Sequence, residues 1–304
     1  MLQQMEVLNG KVTQLGDLAG NVLVYVSPNE AERKYLCETL RLDEHTLASA
    51  LDPNELARLE FEPDHVAMIL KRPRNYSSED RFVFKVASTG LFLFADKLVI
   101  VMSEEVPLFQ GRPYAKVKSL QDLVLKMIYS SIFHFVEHLK VINAVSDSLE
   151  EQINTSMQNK YLLNLFSLEK SLVYYLNAIN TNAKLIERLK NNAAKIGFSA
   201  ENIEFIDDII IENSQCYEQA SIYSNILASM MDARVSIVSN NLNWLMKTLT
   251  TITIAIMLPT FVVSLFSMNV DFPGRENPFM FWVILSLAML SIGAVRLVWW
   301  WKNW

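Results

Sequence analysis

Cysteine is almost missing: Cys37 and Cys216 are the only two in 304 residues, far apart and in no metal-ligand spacing. That excludes a disulfide framework and a thiolate metal cluster, and two unpaired thiols fit a reducing compartment. Positive charge is not in excess either. The formal net charge is -6, which argues against nucleic acid as a partner, because phosphate binding needs a basic face. No nucleophile elbow, P-loop or dinucleotide fingerprint is present, so an enzyme is the least favoured class. The opening MLQQMEVLNG lacks both the basic start and the apolar run of a signal peptide, and the bulk of the chain is expected in the cytosol.

What the chain has in quantity is apolar surface. Hydrophobic residues make up 51%, yet 20% charged residues excludes a protein wholly embedded in lipid. Residues 1–116 read as a cytosolic α/β sandwich. Val22 to Val26 is short and β-branched, as a buried strand is. Ser27-Pro-Asn-Glu30 then gives a helix start, with Ser27 as cap, and Asp52-Pro-Asn-Glu55 repeats that signal. Strand-like pieces follow at Val66 to Leu70, Arg81 to Ala87 and Leu91 to Phe94. Lys97 to Met102 makes another after the tight Ala95-Asp96 link, which suggests an antiparallel meander.

From Ser119 the period becomes helical, and residues 117–246 read as long cytosolic helices and a stalk. Leu120, Leu123, Val124, Met127, Ile128 and Ile132 form one stripe. A second helix is expected from Asn159 to Ile196, broken at Gly197 with Ser199 as the next cap. A third pattern runs from near Glu201 to Leu258 without proline or glycine, a length usual in coiled coils and membrane stalks.

Two segments, Thr248 to Phe266 and Asn277 to Val295, each give about 19 uncharged residues, near the length that crosses hydrocarbon. A pair of buried core helices is the alternative, but no other part of the chain is apolar enough to wrap both. The division is then a first transmembrane helix at 247–268, an external loop at 269–278, and a second transmembrane helix with a short cytosolic end at 279–304. Phe279, Phe281 and Trp282 form one interfacial belt, and Trp299 to Trp301 with Trp304 the other. Arg234, Lys247, Arg296 and Lys302 face Arg275 alone, so both termini are expected in the cytoplasm of a multi-pass protein of the cell (inner) membrane. Asn243, Met246, Thr250, Met257, Thr260, Ser264 and Ser267 recur at threes, fours and sevens on one helix face. A polar stripe in lipid faces protein or water, which leaves a pore or the packing of hydroxyl-bearing helices. One such helix cannot enclose a pore, so conduction demands several chains.

Asn243-Trp-Leu-Met-Lys-Thr-Leu-Thr250, Met257-Leu-Pro-Thr-Phe261 and Ser267-Met-Asn269 together resemble the CorA-type divalent-cation channels. The family carries an N-x-x-M-K-x-L-T segment, a Pro-Thr-Phe segment and a Gly-Met-Asn signature, and the spacing from Asn243 to Asn269 matches without a gap. The match covers roughly the last 70 residues, with a looser one around Leu51 to Glu55 and Glu62 to Val66. It implies an α+β membrane protein assembled as a homopentameric funnel, with the first span lining a central passage. Asn269 is then the outer ring, and Thr260, Met257, Leu249, Met246 and Asn243 line the way inward. Divalent cations, Mg²⁺ foremost and Co²⁺ or Ni²⁺ with it, are the implied cargo, with Mg²⁺ also the regulatory ion and no resident cofactor. Ser267 replaces the signature glycine and Val270 stands where an aromatic is common. Relatives with altered signatures include zinc transporters, so Zn²⁺ is an alternative, as is a non-conducting membrane-anchored sensor or scaffold. Asp271 and Glu276 attract cations to the loop, partly offset by Arg275.

The resemblance also implies a cytosolic Mg²⁺ sensor between subunits. Glu201, Glu204, Asp208 and Glu212 share one helical face, and Asp208 aligns with a regulatory aspartate of the family when counted back from Asn269. A solvated surface is the alternative for such a row. Asp96, in the strand link, is the candidate partner from a neighbouring chain. His134 and His138, spaced i, i+4 beside Glu137, have helical metal-ligand spacing, but Phe133, Phe135 and Val136 around them suggest packing.

Overall fold

The computed structural model describes residues 2–8, 10–14, 20–76, 82–155, 159–269, 274 and 277–301. Two compact units divide the chain, Met1–Met231 and Asp232–Trp304.

The first unit is built on a seven-stranded sheet: β1 (Leu2–Leu8), β2 (Lys11–Gln14), β3 (Val22–Val26), β4 (Arg58–Phe61), β5 (His65–Pro73), β6 (Val86–Phe94) and β7 (Leu98–Met102). Their order is β2-β1-β3-β7-β6-β5-β4, antiparallel throughout except for the central β3–β7 pair. Parallel neighbours need a long crossover. Here it takes in α1 (Glu30–Glu38), α2 (Glu44–Leu51) and the strands β4 to β6. β7 is Leu-Val-Ile-Val-Met with every residue buried, as an uninterrupted apolar run requires when both faces of a strand are covered.

Alternation along the strands sorts the core into two layers. Tyr25, Ile69, Phe92, Val99 and Val101 pack against Leu36 of α1 and Leu47 of α2. Val22, Val24, Met68, Leu91 and Ile100 turn to the other face, where they join the apolar stripes of α3 (Leu120–Thr155), α4 (Asn159–Asn191) and α6 (Ala200–Phe266). Each large side chain so buried contributes roughly 1.5–3 kcal/mol. Gly90 permits the close approach of α2: a Cβ there would lie 2.6 Å from that of Ala50.

One polar contact fixes α4 on the sheet. β4 pairs with β5 only as far as Ile69, so the backbone of Lys71 has no strand beside it on that edge. Asn182 of α4 takes the strand's place: Oδ1 accepts the Lys71 N–H at 2.9 Å, and Nδ2 donates to the Lys71 carbonyl at 2.7 Å. The Ser131 hydroxyl of α3 donates to the same carbonyl at 2.9 Å.

Several sequence expectations change on the structure. Ser27 is not a cap: with φ 44° it extends the strand pairing by donating its N–H to the Met102 carbonyl at 2.8 Å. The cap of α1 is Asn29, in a capping box with Glu32. Asp52-Pro-Asn-Glu55 ends α2 rather than starting a helix, because Asp52 Oδ1 accepts the Asn54 N–H in an Asx turn and the chain then extends into β4. Of the strand expected at Arg81 to Ala87 only Val86 and Ala87 are extended, as the start of β6, which runs on through the piece expected at Leu91 to Phe94; 82–85 form no strand and Arg81 lies outside the described residues. β1, β2 and β4 were not expected. The helices follow their periodicity: α4 and the short α5 (Ala193–Ile196) end at Gly197 with φ 81°, and Ser199 Oγ accepts the Asn202 N–H at the start of α6. α6 is one helix through Pro259 to Phe266, so the stalk and the first apolar segment are continuous.

Replacing Asn182 with alanine leaves the Lys71 N–H buried without an acceptor, and we expect a loss of about 2 kcal/mol in urea unfolding of the detergent-solubilised chain. Asn180→Ala, at an exposed position of the same helix, should change stability by less than about 0.5 kcal/mol.

Candidate functional site

The second unit contains the C-terminal part of α6 and all of α7 (Met280–Trp301). Both helices are long and apolar enough to cross a membrane, with windows of mean hydropathy 2.1. Met246, Leu249, Met257 and Phe261 on α6, and Phe281, Trp282, Trp300 and Trp301 on α7, are exposed, an apolar surface that water does not tolerate uncovered. α6 is helical without a break from Ala200 to Phe266. At about 100° per residue, Asn243, Met246, Leu249, Thr250, Met257, Thr260 and Ser264 therefore fall within an arc of about 120°.

Four threonine hydroxyls on this helix do not depend on water for a hydrogen-bond acceptor. Thr248, Thr250, Thr253 and Thr260 each donate to the carbonyl four residues earlier, at 2.7–2.9 Å. This weakens the expectation that the threonines must face protein or water, since each proton is satisfied within its own helix. Pro259 works the other way, leaving the Ala255 carbonyl without its helical donor. The helix closes with a bond from the Ser267 N–H to the Ser264 carbonyl at 3.1 Å. Ser267, Met268 and Asn269 all have negative φ, so Ser267 carries no left-handed strain here. Val270, Asp271, Arg275, Glu276, Lys302 and Trp304 lie outside the described residues.

In the first unit, Glu201, Glu204, Asp208 and Glu212 are all exposed on α6. Glu201, Glu204 and Asp208 line one cavity of about 730 Å³, together with Lys116, Lys118 and Lys126. The Lys118 ammonium hydrogen-bonds Glu201 and holds its carboxyl below the usual range. Asp207 pairs with Lys190 at 2.6 Å. Asp96 lines a different cavity, near Glu6, Glu32 and Tyr35, and Glu212 lines neither. Among the described residues no three His, Cys, Asp or Glu side chains converge as metal ligands. Lys118 was not singled out from the sequence, since its partner is 83 residues away.

The model of the CorA-like Mg²⁺ transporter protein family matches residues 23–302, nearly the whole chain and both apolar helices. The chain belongs to the CorA-like family. A cobalt/magnesium transport protein CorA from Methanocaldococcus jannaschii is 23% identical over 276 residues, covering 87% of this chain and 85% of that protein. The complete structure of the CorA magnesium transporter from the same organism aligns with a TM-score of 0.80 at 19% identity, over 98% of this chain and 96% of that one. The ZntB cytoplasmic domain from Vibrio parahaemolyticus aligns with a TM-score of 0.59 at 14% identity, over 78% of this chain and 98% of that domain. These structural likenesses establish the fold. With the family they make this a membrane protein with an α/β domain, a long helix and two membrane-crossing candidates.

The histidine pair of this CorA-like chain packs rather than converging on a third ligand. His138 Nδ1 lies 2.7 Å from the Tyr175 hydroxyl, and the His134 and His138 rings meet edge to face at 4.5 Å. Phe135 is fully buried beside them, whereas Phe133 is exposed, contrary to the packing expected of it. Burial, with His134 adding to it, depresses His138 to about 4. A histidine with a folded value below its unfolded one, near 6.5, lends full stability above that pH and loses it as the pH falls toward 4. Discounted for partial exposure, the loss is about 1–2 kcal/mol. Melting temperatures at pH 7 and pH 4.5 check this: His138→Leu should shrink the difference between them.

Proposed function

We propose that this chain forms a homopentameric, funnel-shaped channel that passes divalent cations, Mg²⁺ foremost and Co²⁺ or Ni²⁺ with it, down their electrochemical gradient. The family match across both apolar helices carries the reading. A single α6 cannot surround water, so its polar arc acquires a purpose only when copies of it face one another. In that ring Asn269 stands at the outer mouth, where neutral amide oxygens hold a hydrated ion without trapping it, because Mg²⁺ sheds water reluctantly. Ser264, Thr260, Met257, Thr250, Leu249, Met246 and Asn243 line the way inward. Thr250 and Thr260, with their protons tied back to the helix, present oxygen lone pairs that accept from the waters of a hydrated cation. Met257 and Leu249 supply apolar constrictions. Both termini are placed in the cytoplasm and the Ser267-Met-Asn269 end outside. A divalent ion then gains about 4.6 kcal/mol per 100 mV of inside-negative potential.

Closure is assigned to Mg²⁺ bound between subunits, with Asp208, Glu204 and Glu212 on one chain and Asp96 on its neighbour. Loss of the ion lets the subunits splay, and the stalk carries the change to Met257. Zn²⁺ transport is the second reading, favoured by Ser267 in place of the signature glycine.

Vesicles containing purified protein test the proposal. A dye-detected Mg²⁺ influx should depend on inside-negative potential, and Asn269→Leu should reduce it by at least about tenfold, the loss expected when a charge-facing polar contact is removed. Influx of Zn²⁺ but not Mg²⁺ would select the second reading, and a monomeric protein with no influx of either would refute the channel. Asp208→Ala should keep influx running at internal Mg²⁺ levels that shut the parent; closure at the same level would place the sensor elsewhere.

A further inference from the structure

Between the sheet and α3 the first unit holds a cavity of about 330 Å³, the size of a small-molecule site, which transport does not use. Arg72 of β5 lies in its wall, 8% exposed. Its Nε donates to Thr89 Oγ1 at 3.1 Å, Nη1 to the Pro73 carbonyl at 3.2 Å, and Nη2 to Glu104 Oε1 at 3.2 Å. Those are three of the five N–H groups of a guanidinium; the remaining two have no acceptor among the described residues. The neutralising carboxylate is shared as well, since Glu104 Oε2 accepts from Arg74 Nε at 2.7 Å. Two guanidinium groups thus divide one negative charge, and the more buried of them has the longer contact. A buried cation so incompletely paired is costly unless an anion completes it.

The rest of the lining suits such an anion. Ser130, Tyr114 and Asn75 bring polar groups, as does the His134 ring, whose pKa burial and the Arg72 charge lower. Leu108, Phe109 and Met127 form an apolar wall, and Glu137, exposed, is the one carboxylate among the lining residues. A cation would meet Arg72, and a polyanionic chain would not fit the volume.

We propose that this cavity binds a small oxyanion, a phosphate or carboxylate group held in bidentate fashion by Arg72 and roofed by α3 at Ser130 and His134. Two parallel charge-assisted bonds are the arrangement a guanidinium favours. The test uses the full chain in detergent, titrated with inorganic phosphate and separately with succinate at constant ionic strength, followed by calorimetry and thermal shift. Saturable binding of either is expected, and which of them binds identifies the head group. Arg72→Met should weaken it by about tenfold or more, the value of a charge-assisted pair. If that variant does not fold, Ser130→Leu, which fills the cavity while leaving Arg72 and Glu104 in place, should produce the same loss. Failure of both anions to bind, or binding unchanged in Ser130→Leu, would overturn the proposal.

Discussion

Polar groups that leave water must find partners inside protein, and that constraint shapes both units of this chain. In the α/β domain it acts where β4 ends early and the backbone of Lys71 would be stranded. The Asn182 carboxamide answers as a neighbouring strand would, and so ties α4 to the sheet. In the apolar part of α6 it acts on the threonines, whose protons return to carbonyls one turn earlier. Neither device moves the fold toward a function. They remove the cost of burial, and what remains unpaired afterwards is where function is to be sought.

What was legible in the sequence follows the strength of each local signal. The long helices announce themselves because a 3.6-residue period sustained over several turns has few competing explanations, and Gly197 marks its boundary by adopting the left-handed conformation. β3 and β7 are equally plain as short β-branched runs. β1 and β2 carry Gln, Glu, Lys and Thr among their apolar residues, as partly solvated strands at the sheet's margin do, and alternation does not separate them from loop. β4 was hidden by Asp52-Pro-Asn-Glu55, whose capping chemistry serves an Asx turn as well as a helix start. For the candidate site, the spacing along α6 placed the polar arc. The back-bonding of its threonines and the meeting of Lys118 with Glu201 required tertiary structure. Arg72 was masked by its position at the end of an apolar strand.

The acidic row on α6 illustrates how electrostatics refines a motif. Four like charges on one face suggest a cation site, yet Lys118 already occupies Glu201 and two more lysines line the same cavity. A divalent ion arriving there competes with a tethered ammonium for that carboxylate. Glu204, Asp208 and Glu212, whose side chains form no ion pair among the described residues, are the members free to take part, and Glu212 lies outside the cavity that the other two line. A divalent ion on this face would need further oxygens, from water or from another chain, to fill its coordination shell.

The same logic bears on the end of α6. Glycine suits a helix that stops in a left-handed turn, but here the last turn tightens to a 3₁₀-type bond and Ser267 stays at negative φ. A serine would carry a cost in a left-handed turn, and a helix that ends this way does not ask for one. Backbone strain at this residue therefore gives no reason for an altered site; what serine adds is a hydroxyl two residues before Asn269.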